Sequence, residues 1–155
     1  MHAFVTSRVD YCNTVLVGAP KSVTDKLQRV FNAAARIVTA GTRKFDRGPF
    51  QLLHDVSERV LYKLALTVHR CFRHRVPQYL FNYCVPVSEF ASRQHLRSAS
   101  RHQILLVPRC RRSSFGRRAF PVAGPTFWNS LPDELRTYSS DRFKAALKIF
   151  VFARY

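Results

Sequence analysis

Acid is what this chain has least of. Nine aspartates and glutamates stand against 26 lysines and arginines, giving a formal net charge of +17 and a sequence pI near 10.9. From residue 90 to 132 there is no acid and no lysine, yet eight arginines occur. Two-metal nucleotidyl transfer needs several carboxylates around a shared metal pair. The only adjacent acids, Asp133 and Glu134, follow Pro132, where a first helical turn favours negative charge for dipole reasons alone. That excludes a polymerase-type catalytic centre.

Other absences narrow the field further. The four cysteines, Cys12, Cys71, Cys84 and Cys110, sit at long, unequal intervals with no CxxC among them. A disulfide framework and a zinc knuckle are therefore not expected. His69, Cys71 and His74 cluster, and His95 and His102 flank Arg97 and Arg101, but no second ligand pair has metal-site spacing. These residues read as a core thiol and solvated histidines, with no metal and no cofactor, and a cysteine–histidine nucleophile is equally unsupported. No GxxxxGK[ST] or GxGxxG occurs, and the stretch between Gly41 and Gly48 lacks the helix start that would aim N–H groups at phosphate. The longest apolar runs fall far short of a membrane span. With no signal-peptide pattern, the expectation is a reduced, intracellular protein. No internal repeat is found.

What is present is enough to fold. In 155 residues, 46% hydrophobic and 13% aromatic content predicts a modest core, as one domain or two small helical pieces sharing an interface. Val5, Val9, Cys12 and Leu16 recur at helical spacing, predicting a helix over 3–17 that stops at Gly18 and Pro20. Ser22 then offers an N-cap with Asp25 three residues on, and Leu27, Val30, Phe31, Ala34 and Val38 form the next apolar stripe, ended by Gly41. Lys26, Arg29 and Arg36 occupy another face of that helix. A third segment starts near Ser57, with Leu61, Leu64, Val68, Cys71 and Phe72 inward and Arg59, Lys63, Arg70 and Arg73 mostly outward. Pro77 opens a short fourth helix, "PQYLFNYC". Together these predict an antiparallel helical bundle over residues 1–85.

Composition then shifts. Residues 86–103, including "ASRQHLRSASRHQ", read as a polar, basic linker. Residues 104–155 read as an Arg-rich segment: "ILLV" as a short strand, "RAFPVAGP" as a second extended piece broken by Pro121, "PDELR" as a helix start. Ser140 and Asp141 begin a last helix facing inward through Phe143, Ala146, Leu147 and Phe150. The fold class expected is mainly α, with one or two short strands and a C-terminal helix. In "AFPVAGPTFWNSLP", Phe120, Phe127, Trp128 and Leu131 are read as an anchor buried against the bundle, with base stacking by the lone Trp128 as the less favoured role.

Twenty of the 26 cations are arginine, whose flat fork grips phosphate in two places. A balance of this kind predicts a polyanionic partner, nucleic acid first, with an anionic membrane surface or acidic protein behind it. Eight arginines without a counter-acid repel one another unless an anion joins them. "RCRRSSFGRR" is also a nuclear-import pattern, and the two readings are compatible.

The order of motifs carries a resemblance. "SRVDYCNTVLVGAPKSVTDKLQRVFNAAARIVTAGTRKFD", "RVLYKLALTVHRCFRHRVPQYL", "RQHLRSASRHQILLVPRCRRSSFGRRAFPVAGPTFWNSLPDELR" and "FKAALKIFVFARY" resemble the region after the catalytic palm in reverse transcriptases of non-LTR (LINE-type) retrotransposons. The resemblance spans almost the whole chain. It implies a helical thumb followed by the C-terminal segment of an RNA-directed DNA polymerase, gripping template and growing strand beside the palm. On that analogy Lys26, Arg29, Arg36, Arg43 and Lys44 touch backbone phosphates of an RNA–DNA hybrid or single-stranded RNA, and Arg109, Arg111, Arg112, Arg117 and Arg118 extend the track. Arg97 and Arg101 belong to the same Arg-rich run. Contacts of this type position a strand without reading its sequence.

The departures are equally definite. On that resemblance the fingers, palm, paired polymerase aspartates and endonuclease would lie upstream of Met1, outside these 155 residues, which also do not include the cysteine-rich knuckles of some relatives. Where the family carries Leu-His-Trp-Leu, Leu53-His54 here runs straight into Asp55-Val56-Ser57, shortening the link. The expectation is a non-catalytic fragment, a relic reading frame included, that binds nucleic-acid backbone non-specifically in the nucleus, with a palm supplied in trans as a second partner. The competing expectation is a helical protein-interaction module presenting Tyr79, Phe81 and Tyr83, with the arginines serving import or solubility.

Overall fold

The computed structural model describes residues 7–8, 10–11, 13–38, 55–89, 103–110 and 116–152. The chain is mainly helical. Among the described residues a short 3₁₀ turn, Asn13–Leu16, leads to six helices: α1 (Lys21–Val38), α2 (Val56–Phe72), α3 (Gln78–Phe81), α4 (Phe120–Ser130), α5 (Asp133–Thr137) and α6 (Ser140–Phe152). Two more 3₁₀ turns, Val87–Glu89 and Gly116–Arg118, join them.

Local chemistry sets most of these boundaries. Gly18 adopts φ +62°, a left-handed conformation open to glycine at little cost, and the chain turns there after Leu16. The Pro20 carbonyl accepts from Val23 N–H at 2.9 Å, so α1 starts at Lys21 rather than behind a Ser22 cap. Pro77 and Pro132 stand just before α3 and α5, where a missing N–H costs nothing. The expected first helix reaches the described residues as helical Ser7, Arg8 and Asp10 and the turn at Asn13–Leu16. Gly41, expected to end α1, lies outside the described residues.

α2 is the hub. It packs against the Asn13–Leu16 turn, α4 and α6, and more thinly against α1 and α3. Its inward stripe is Val56, Val60, Leu64, Ala65, Val68 and Cys71, all buried, at the spacing an amphipathic helix requires. Two separate clusters form along it. The small one joins Phe31 of α1 to Val56 and Val60, with Leu16, Val17 and Leu27 at its edge. The large one joins Val68, Cys71 and Cys84 to Leu105, Trp128, Leu131, Phe143, Leu147 and Val151. On α6 the inward face is therefore Phe143, Leu147 and Val151, while Phe150, expected there, is exposed.

Two extended segments expected from the sequence take other forms. Among the described residues there is no strand. "ILLV" contributes one isolated antiparallel bridge, Pro86 to Leu105, with Val87 N–H to Ile104 O and Leu106 N–H to Val85 O both at 2.9 Å. Its remaining partner is a side chain. Asn129 Oδ1 accepts from Leu105 N–H at 2.9 Å, and Asn129 Nδ2 donates to Leu105 O at 2.8 Å, so one amide stands in for a neighbouring strand. "FPVAGP" is not extended but the first half of α4. Pro121 falls in the first turn, where no helical N–H bond is due. Pro125 lies inside the helix, and burial of Ala123, Gly124, Pro125 and Trp128 overrides its weak helical preference. Gly124 permits the close approach, since a Cβ there would lie 3.2 Å from Val68 Cγ2 and 3.3 Å from the Phe120 ring.

Candidate nucleic-acid interface

The aromatic residues beside the arginine run are spent on packing. Trp128 is wholly buried, its Nε1–H donates to Gln103 O at 2.8 Å, and its ring meets Phe72 and Phe143 at centroid distances of 5.1 and 5.6 Å. Leu131 is buried, and Phe120 and Phe127 pack on the same cluster. Trp128 is thus a structural anchor, closed to a nucleobase. The tryptophan and its neighbour Asn129 together pin the 103–105 segment to the core.

The cations divide by environment. Lys26 and Arg29 are exposed on α1, and Arg36 is half-buried on the same helix. Arg109 and Arg117 are exposed, while Arg118 is half-buried with its Cγ close to the space beside Gly18. Arg117 lines a cavity of about 540 Å³ floored by Leu61, Leu64, Val122 and Phe127. Arg43, Lys44, Arg97, Arg101, Arg111 and Arg112 lie outside the described residues. α1 therefore places Lys26 and Arg29 in solvent, and the segment before α4 does the same for Arg109 and Arg117.

On α2 the outward set behaves differently from its sequence pattern. Arg70 and Arg73 are exposed, but Arg59 and Lys63 are half-buried. Arg59 pairs with the Asp10 carboxylate, its Nε at 3.0 Å, and its guanidinium lies over the Phe31 ring at 5.2 Å. Lys63 donates to the Asp10 backbone oxygen. Helical spacing alone could not reveal this, because the partner lies 49 positions earlier. Lys63 and Arg70 also meet Lys148 of α6 around one further cavity, a convergence that periodicity within either helix does not signal.

Among the described residues, His69, Cys71 and Cys84 serve the core, whereas His74 and Cys110 are exposed. His69 is buried rather than solvated, stacked on Phe143 at 4.2 Å and 9°, with Nε2 donating toward Tyr138 O at 3.5 Å. Burial holds its pKa below the ordinary value of 6.5; the Tyr138 carbonyl pulls the other way, and the Arg73 and Lys144 charges add to the lowering. His74 is exposed beyond the end of α2 at φ 52° and packs on Phe81. Cys71 and Cys84 are buried free thiols. The hydrogen bond between them lowers the Cys71 pKa and, with burial, raises that of Cys84. Among the described residues no three metal-ligating side chains come together, and no helix is long and apolar enough to cross a membrane. Asp133 pairs with buried Arg136 in the first turn of α5.

No family model matches the chain, and neither curated proteins nor solved structures provide a match.

Proposed function

We propose that the chain is a non-catalytic, nucleic-acid-binding piece of the region after the palm in a non-LTR retrotransposon reverse transcriptase. It comprises a thumb-like bundle, a linker and a basic arm leading into the C-terminal helices. The observation that carries this reading is the division of labour between residue types. Phe31, Trp128 and Phe143 are buried in the cores, whereas Lys26, Arg29, Arg109 and Arg117 stand in solvent on a chain of net charge +17. Such a surface attracts a polyanion from any direction and reads no sequence. Nuclear location and a palm acting in trans accompany the proposal.

Binding of the purified chain to single-stranded RNA, an RNA–DNA hybrid and duplex DNA over a salt series tests it. The expected log–log slope is steep, because each neutralised phosphate releases counterion. Reversal of Lys26, Arg29, Arg109 and Arg117 to glutamate should lower it by roughly 0.7–0.9 for each phosphate no longer neutralised. A flat response overturns the reading. In a primer–template assay with Mg²⁺ no extension is expected; extension would overturn the non-catalytic assignment.

One observation favours the competing module for protein partners: Tyr79 and Tyr83 are 64% and 48% exposed. Partner capture abolished by Tyr79→Ala and Tyr83→Ala, yet kept after the charge reversals, would decide for it.

A further inference from the structure

Between α2, α6 and the Asn13–Leu16 turn lies a cavity of about 460 Å³, within the range of small-molecule sites. Its apolar side is Tyr62 and Phe152, whose ring centroids lie 5.6 Å apart. Four cations, Arg59, Lys63, Arg70 and Lys148, line it against the single carboxylate of Asp10. Arg59 and Lys63 are engaged with Asp10. Arg70 and Lys148 are exposed beside the cavity. Two further polar side chains line it: Thr67, whose hydroxyl already donates to Lys63 O at 2.9 Å, and Asn13, which is the informative one. Asn13 is only 3% exposed, donates weakly through Nδ2 to Asp10 Oδ1 at 3.5 Å, and its Oδ1 accepts no hydrogen bond among the described residues. A buried acceptor left without a donor is costly in a folded protein and calls for one.

We infer that this cavity takes one unstacked nucleotide of a single strand, its base against Tyr62 and Phe152, a base N–H donating to Asn13 Oδ1, and its phosphate on Arg70 and Lys148. Aromatic surface beside cations is the combination that holds single strands, because every base has a π-face and every link a negative charge. Phosphate alone would leave both the aromatic side and Asn13 unsatisfied. A base paired in a duplex cannot enter. The inference rests on the nucleic-acid reading above and sharpens it, placing single-stranded RNA or DNA ahead of hybrid or duplex.

The test compares oligoadenylate with an abasic strand of equal length and with duplex, using the full chain, with NMR shifts reporting the residues touched. Shifts at Asn13, Tyr62 and Lys148 are expected. Oligoadenylate should bind about tenfold more tightly than the abasic strand, in line with the loss of base stacking. Arg70→Glu and Lys148→Glu, both at exposed positions, should remove most of that binding, and more of it than Lys26→Glu with Arg29→Glu. Asn13→Ala should narrow the gap between oligoadenylate and the abasic strand, whereas a merely structural Asn13 would leave that ratio unchanged. Equal affinity for the two strands, or equal loss from reversals on α1 and at the cavity, overturns the inference while leaving non-specific nucleic-acid binding intact. Absence of binding to every strand removes both.

Discussion

The two clusters along α2 are held by different means. Around Trp128 the chain closes on itself through aromatic contacts and buried aliphatic residues drawn from α2, α4, α6 and the Leu105 segment. Around Phe31 only Val56 and Val60 are fully buried partners, and polar links do much of the joining. Gln28 Oε1 of α1 accepts from Val56 N–H at 2.9 Å, capping the start of α2. Arg59 ties Asp10 to the same helix. α1 meanwhile leaves Val23, Val30 and Ile37 exposed, seven residues apart and so on one side of the helix. A large cluster with polar clamps at its edge is a unit of global stability; a three-residue cluster with polar clamps is a docked element that can open locally.

Removing the central aromatic of each cluster is the strongest way to break that contrast. Trp128→Ala is expected to cost about 4 kcal/mol and Phe31→Ala about 3 kcal/mol, with different reach. In urea titration and amide exchange, the first should release protection in α2, α4 and α6 together, whereas the second should release α1 while α4 and α6 stay protected. Loss of protection throughout the chain in Phe31→Ala would mean that the clusters are one cooperative unit.

The polar clamps give a smaller, sharper comparison. Asn129→Ala leaves both the N–H and the C=O of Leu105 without their side-chain partner, at a cost of about 2 kcal/mol, whereas Gln28→Ala leaves one backbone group, Val56 N–H, without its cap and drops the side-chain bond to Asn32 Oδ1, for about 1 kcal/mol. Chemical denaturation of both variants checks the order, and equal effects would contradict the picture of a strand replaced by one amide.

The smallest effect concerns pH. His69 has a folded pKa below its unfolded value of 6.5, so between those two values the unfolded chain binds more protons. The stability it contributes is complete above 6.5 and falls as pH drops through the folded pKa, by at most about 1.4 kcal/mol per pH unit. His69→Phe, which keeps the stacking on Phe143, should flatten the dependence of urea midpoint on pH below 6.5. An unchanged slope would place the titrating group elsewhere.

Much of the helical layout was legible without coordinates. The stripe Leu64, Val68 and Cys71, the inward Phe143 and Leu147, and the starts at Pro77 and Pro132 follow from periodicity and from rules about proline in a first turn. The anchoring role of Trp128 was legible too, from its setting among Phe, Pro and Leu. The candidate interface was legible only in part. Exposed Lys26, Arg29, Arg109 and Arg117 follow from charge pattern, but the engagement of Arg59 by Asp10 and the meeting of Lys63, Arg70 and Lys148 depend on partners distant in sequence.

The sequence by itself determined composition-level behaviour and local geometry: a strongly cationic chain, helices with one apolar face, and breaks where Gly18 and the prolines set the backbone. Those follow from interactions within a few residues and from total charge. Tertiary structure decided the rest. It turned "FPVAGP" into a helix because Gly124 lets α4 lie close to Val68, and it held "ILLV" through Asn129 rather than in a sheet. It also buried His69 against Phe143. In each case a long-range contact outweighs a local preference of at most a few kcal/mol, and spacing along the chain does not encode such contacts.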